Sequence, residues 1–143
     1  MKTVWALMGD DYLYVAVQLC DAFDPSLLRN YFIGLDLDKD RLPDYDFGVR
    51  PYDFGGRAAG QAWALVYGRA GNKSDWFNEN NWEIEEAYQV VAVGKLDAGV
   101  LEVAIPREVY QIPDTVLALV RVTEGGPNVD STKLFEIPPE KGK

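Results

Sequence analysis

Apolar and polar positions alternate along residues 12–20: Leu13, Val15, Val17 and Leu19 are separated by Tyr14, Ala16, Gln18 and Cys20. Side chains on a strand point to opposite faces in turn, so this pattern predicts a strand whose first set faces a core. An apolar run at residues 3–8 precedes it across Gly9-Asp10-Asp11, and a polar Gly-containing interval between two such runs predicts a hairpin. A further strand is expected over residues 31–37, with Ile33, Leu35 and Leu37 on one face. Extended segments follow at 47–52, 61–67 (Trp63, Leu65 and Tyr67 on one side), 82–93, 100–105, 116–123 and 133–137. Asp24-Pro25-Ser26 marks a turn or the start of a single helical turn. No segment of helical period and adequate length competes with the strands.

The pattern therefore predicts an all-β chain, an antiparallel β-sandwich of jelly-roll or immunoglobulin-like type with about eight or nine strands. At 143 residues one domain suffices. It is expected to span residues 1–137, with 138–143 as a flexible tail rich in Pro, Lys and Gly. Four Trp, eight Tyr and six Phe reinforce the leaning towards sheet.

Charge removes some partners. The net charge of −9 opposes binding to a phosphate backbone, so nucleic acid is excluded as a partner. No apolar stretch approaches the length of a membrane span, so membrane insertion is not expected. Cys20 is the single cysteine, which excludes an intrachain disulfide and fits a small core filler. The absence of His removes the usual imidazole base, the commonest zinc ligand and a partner for a reactive thiolate. No phosphate-binding glycine motif occurs either. Acidic residues are numerous enough for a hydrolytic carboxylate pair, but their separation is not encoded in sequence. A binding protein rather than an enzyme is expected.

Three segments together resemble the family-9-type carbohydrate-binding modules and their DOMON-like relatives. Trp5 followed by Asp10-Asp11-Tyr12-Leu13-Tyr14-Val15-Ala16-Val17 is similar to that group's opening hairpin. Gly34-Leu35-Asp36-Leu37-Asp38-Lys39-Asp40, followed by Asp44-Tyr45-Asp46-Phe47, looks like a strand ending in an acidic turn and the entry to the next. Leu101-Glu102-Val103-Ala104-Ile105-Pro106 is close to the group's strand end. The resemblance covers most of the chain and implies a sandwich that binds a polysaccharide or oligosaccharide. It departs from the group in lacking a further strand before the Trp hairpin and a placeable pair of clamping Trp residues. The haem role of some DOMON relatives is not implied here, because the axial ligands available are Met1 and Met8, both in the first strand region.

Two constellations could carry binding. The first is acidic: Asp36, Asp38 and Asp40 alternate, with Asp44 and Asp46 close behind. Hard cations such as Ca2+ take six to eight oxygens, and a turn at a strand end can gather alternate carboxylates. The spacing is not an EF-hand, since Arg41 and Phe47 stand where that loop needs Gly and Glu. A structural Ca2+ or a solvated acidic loop are the two readings. The second is the segment from Asn72 to Trp82, where Trp76 and Trp82 bring flat apolar faces, and Asn78, Glu79, Asn80 and Asn81 bring planar hydrogen-bonding groups. Pyranose rings need both. The same residues could instead cap a core beneath a long loop. Trp5 and Trp63, lying in strand patterns, are expected in the core, while Tyr45, Phe47, Tyr52 and Phe54 suggest an irregular rim.

The expected function is thus a non-catalytic module for a neutral glycan, working beside other domains of a larger extracellular or cell-surface protein. The alternative is a structural or assembly β-domain that binds protein and no sugar.

Overall fold

The computed structural model describes residues 3–20, 29–50, 63–69, 82–86, 91–95, 99–124 and 128–138. Eleven strands occur among them: β1 (Thr3–Met8), β2 (Tyr12–Gln18), β3 (Arg29–Asp36), β4 (Tyr45–Arg50), β5 (Trp63–Arg69), β6 (Trp82–Glu86), β7 (Val91–Lys95), β8 (Val100–Pro106), β9 (Val116–Glu124), β10 (Asn128–Ser131) and β11 (Phe135–Ile137). One helical turn, α1 (Arg107–Tyr110), interrupts them. The fold class is the expected one, an all-β antiparallel sandwich.

Four strands form one sheet in the order β1-β2-β8-β7, and the other runs β10-β9-β3-β4-β5-β6 with β11 also on β9. Every pairing is antiparallel. β10 and β11 share the same edge of β9, β10 opposite Arg121–Thr123 and β11 opposite Val116–Ala118. Thr132 bridges the gap by donating its N–H to the Val120 carbonyl (2.8 Å) and accepting the Val120 N–H on Oγ1 (3.0 Å).

The core fills the space between the sheets. Leu13, Val15 and Val17 from β2 and Leu101, Val103 and Ile105 from β8 face Tyr31, Ile33 and Leu35 from β3, Phe47 from β4, and Val116, Ala118, Val120 and Val122 from β9. The expected inward set of β2 is buried, Leu19 included. On the seven-stranded sheet the opposite face is buried as well. There Phe32, Asp46, Leu119, Arg121 and Thr123 have little contact with water. Gly34, paired with Asp46 across β3–β4, has no side chain to obstruct that face. Arg121 reaches Asp46 with its Nη2 at 2.7 Å, its guanidinium lying 4.1 Å above the Phe32 ring.

Arg107, the first residue of α1, ties the end of β8 to the β1–β2 turn. Its N–H bonds the Asp11 carbonyl at 3.0 Å and its Nη1 bonds the Gly9 carbonyl at 2.8 Å. Nη2 also meets Asp114 at 2.7 Å.

Several details correct the sequence-based picture. Residues 82–93 are not one strand: β6 pairs with β5 in one sheet and β7 with β8 in the other. Trp5 is not in the core. It is 53% exposed, on the outer face of the four-stranded sheet. Cys20, too, is exposed rather than filling a core position. The helical turn at Arg107–Tyr110 and strand β10 were not expected at all. The turn expected at 24–26 and the tail at 139–143 lie outside the described residues. No helix among the described residues is long and apolar enough to cross a membrane.

Candidate functional site

The hairpin that opens the chain decides which aromatic residues meet water. Pairing of Met8 with Leu13 and of Ala6 with Val15 sets Ala6 and Met8 on the inner face, because Leu13 and Val15 are core residues. Trp5 and Leu7 must then point outwards, since adjacent strand residues face opposite ways. On β2 the outward set is Tyr12, Tyr14 and Ala16, and on β8 it includes Glu102 and Ala104. Cross-strand pairing aligns them in two rows, Trp5–Ala16–Glu102 and Leu7–Tyr14–Ala104.

This arrangement makes a groove. Two small residues in mid-sheet, Ala16 and Ala104, form a low floor between taller neighbours. Trp5, Leu7 and Tyr14 stand along one side and Glu102 along the other, enclosing about 540 Å³. That is a usual size for a small-ligand site. Trp5 and Tyr14 are diagonal neighbours on adjacent strands, with backbones about 7–8 Å apart. Glu102 lies two strand spacings from Trp5, roughly 10 Å away. Tyr14 is 45% exposed and Leu7 65% exposed, and Tyr12 continues the aromatic surface with its ring centre 5.9 Å from that of Tyr14.

Gly9 helps to place Tyr14. A Cβ at Gly9 would come within 3.0 Å of the Tyr12 carbonyl oxygen and 3.2 Å of the Tyr14 ring. The turn also closes through the Gly9 N–H bonding the Tyr12 carbonyl at 2.9 Å. Chemically, the groove offers flat apolar faces, one carboxylate and no cationic side chain among its lining residues.

The acidic turn lies elsewhere, at the end of β3. One carboxylate oxygen from each of Asp36, Asp38 and Asp40 lies within 4.8 Å of the others. Asp36 is fully buried and held by strand pairing with Leu117 of β9. Its Oδ2 accepts the Arg41 N–H at 2.6 Å, whereas its Oδ1 is buried and accepts no hydrogen bond. Asp38 and Asp40 are exposed and accept the N–H groups of Asp40 (3.3 Å) and Leu42 (3.0 Å). Burial pushes the Asp36 carboxyl up to about 6, helped by the neighbouring Asp38 and Asp40 carboxyls and opposed by the Arg41 N–H.

The structure thus brings together three of the five acidic residues singled out from sequence. Asp44 braces the turn, accepting the Leu37 N–H on Oδ2 at 2.8 Å and donating its own N–H to Leu35. Asp46 sits on the adjoining strand in its ion pair with Arg121.

Of the sugar-binding candidates, Trp76, Asn78, Glu79, Asn80 and Asn81 lie outside the described residues, and Trp82 is described only as the first residue of β6. Tyr45 and Phe47, expected on a rim, are instead an inward pair. Their rings stack with centres 5.7 Å apart, and both meet the edge of Tyr110. Sequence reasoning missed the groove, although the hairpin register contained it: once Leu13 is inward and the turn is Gly9-Asp10-Asp11, Trp5 and Leu7 can only be outward. Compared with family models, curated proteins and solved structures, the chain matches none of them.

Proposed function

We propose that this protein is a non-catalytic carbohydrate-binding module that takes a neutral polysaccharide or oligosaccharide in the groove on the outer face of its four-stranded sheet. The observation that carries this reading is the pairing of a water-exposed indole and phenol, Trp5 and Tyr14, with the Glu102 carboxylate across a floor of alanines. Sugar rings present C–H faces that stack on flat aromatic surfaces, and their hydroxyls donate hydrogen bonds to a carboxylate. The net charge of −9 favours an uncharged glycan over an acidic one. Affinity is modest, because the hydroxyls lose water on binding. The resemblance of the Trp5 hairpin and the Leu101–Pro106 strand to family-9-type modules fits the same reading. So does a place beside other domains of a secreted or cell-surface protein.

A second reading rests on Leu7. An aliphatic side chain 65% exposed beside Trp5 and Tyr12 also suits a protein partner, making the face an assembly surface. Affinity gel electrophoresis against a panel of soluble neutral polysaccharides separates the two. Retardation by a glycan, lost in Trp5→Ala and unchanged in Trp63→Phe, supports sugar binding. Migration unaffected by every glycan, together with concentration-dependent self-association lost in Leu7→Ser, supports the assembly domain.

A further inference from the structure

We propose that the turn following β3 is a calcium site in which Asp36, Asp38 and Asp40 ligate one ion. Grouped acidic residues on a surface are usually no more than solvated charge, so their proximity alone carries little. What distinguishes this group is the Asp36 carboxylate. It is fully buried, yet its Oδ1 has neither water nor a hydrogen-bond donor. A buried acceptor left without a partner costs free energy, and more when it belongs to an ionisable group. Nothing in the packing requires an acid there. An apolar or amide side chain would fill the end of β3 without that cost.

The neighbours worsen the electrostatics unless a cation is present. Asp38 and Asp40 bring two more carboxylates to within 4.8 Å of the Asp36 oxygen. The nearest lysine in sequence, Lys39, is engaged elsewhere, with its Nζ 2.9 Å from Glu136 on β11. A divalent ion placed among the three oxygens would satisfy the buried acceptor and cancel the mutual repulsion.

Size and chemistry indicate calcium. Ligand oxygens on opposite sides of a calcium ion lie about 4.6–5.2 Å apart, since each bond is about 2.3–2.6 Å. Oxygens no more than 4.8 Å apart can share one such ion without a rearrangement of the chain. Magnesium bonds of about 2.0–2.1 Å would require them to draw closer. The frame is also rigid where it needs to be. Asp36 is fixed by β3–β9 pairing and by the Arg41 N–H, and Asp44 pins the far side of the turn to Leu35 and Leu37. An ion here would stabilise the β3–β4 connection, at a distance from the groove on the other sheet.

The test is thermal unfolding of the full chain, stripped with EDTA and then titrated with CaCl2 from 0.01 to 10 mM. The parent and two exposed-position variants, Asp38→Asn and Asp40→Asn, are compared with Asp36→Asn. The parent is expected to gain about 5–10 °C at a hundredfold excess over Kd. Each variant should lose at least half of that response, while unfolding in EDTA at or above the parent's midpoint because a repelling charge is gone. Absence of any calcium-dependent rise in the parent overturns the site. So does a rise that persists undiminished in all three variants, because the ion would then be bound elsewhere.

Discussion

Replacing Asp46 with alanine leaves the Arg121 guanidinium inside the protein without its carboxylate. The two side chains are 8% and 3% exposed and meet at 2.7 Å, so water cannot take over the missing contact. Stripping one partner from a buried pair costs about 3–5 kcal/mol, most of it the penalty of the uncompensated charge. The ring of Phe32, 4.1 Å below the guanidinium, is retained and offsets a little of this. For a chain of this size the loss corresponds to a fall in Tm of roughly 10–15 °C. Urea unfolding followed by Trp fluorescence measures it, with an unchanged m-value as the sign that the transition remains the same one. The double variant Asp46→Leu/Arg121→Met removes both charges at similar volume and should recover most of the loss. A single-variant cost below about 1 kcal/mol, or a double variant less stable than the single, would refute the reasoning that the pair is a mutually dependent buried unit.

Four other outcomes follow from the same structure. Phe47→Ala, at a fully buried position between Tyr45 and Tyr110, should cost about 3–5 kcal/mol in urea unfolding, whereas the half-exposed Trp5→Ala should cost much less and leave the far-UV spectrum unchanged. Gly9→Ala should destabilise the hairpin by about 1–3 kcal/mol and weaken glycan retention at the same time, because the new methyl presses on the Tyr14 ring. Lys39→Ala should change stability by less than about 1 kcal/mol, its ion pair with Glu136 being open to water. In EDTA, Asp36 with its folded-state value of about 6 binds a proton more readily folded than unfolded. Its contribution therefore favours folding below about pH 4 and is lost as pH rises through 6, so the stability gap between Asp36→Asn and the parent should widen in the variant's favour over that window.

Strands buried on one face were legible because their alternation is unambiguous. Leu13, Val15 and Val17 against Tyr14, Ala16 and Gln18 permits one orientation. Strand β1 offers no such contrast. In Thr3-Val4-Trp5-Ala6-Leu7-Met8 both alternate sets are apolar, and the bulk of Trp5 suggests the core when the strand is considered alone. Its orientation comes from register with β2, a tertiary constraint that overrides side-chain size. The break between β6 and β7 was hidden for a related reason, since a continuous strand-like composition does not record which sheet each half joins. Of the acidic residues, spacing correctly suggested that Asp36, Asp38 and Asp40 could converge. It could not reveal that Asp46, one strand residue into β4, faces Arg121, which lies 75 positions further along the chain.

The central claim is the location of the ligand, and backbone amide chemical-shift mapping tests it most directly. Titrating isotope-labelled protein with the glycan that retards it should move the amides of Trp5, Leu7, Tyr14, Ala16, Glu102 and Ala104, leaving those of β9 and β3 in place. Perturbation centred on Trp82 and residues 76–81, with the β1–β2–β8 face unmoved, would contradict the account.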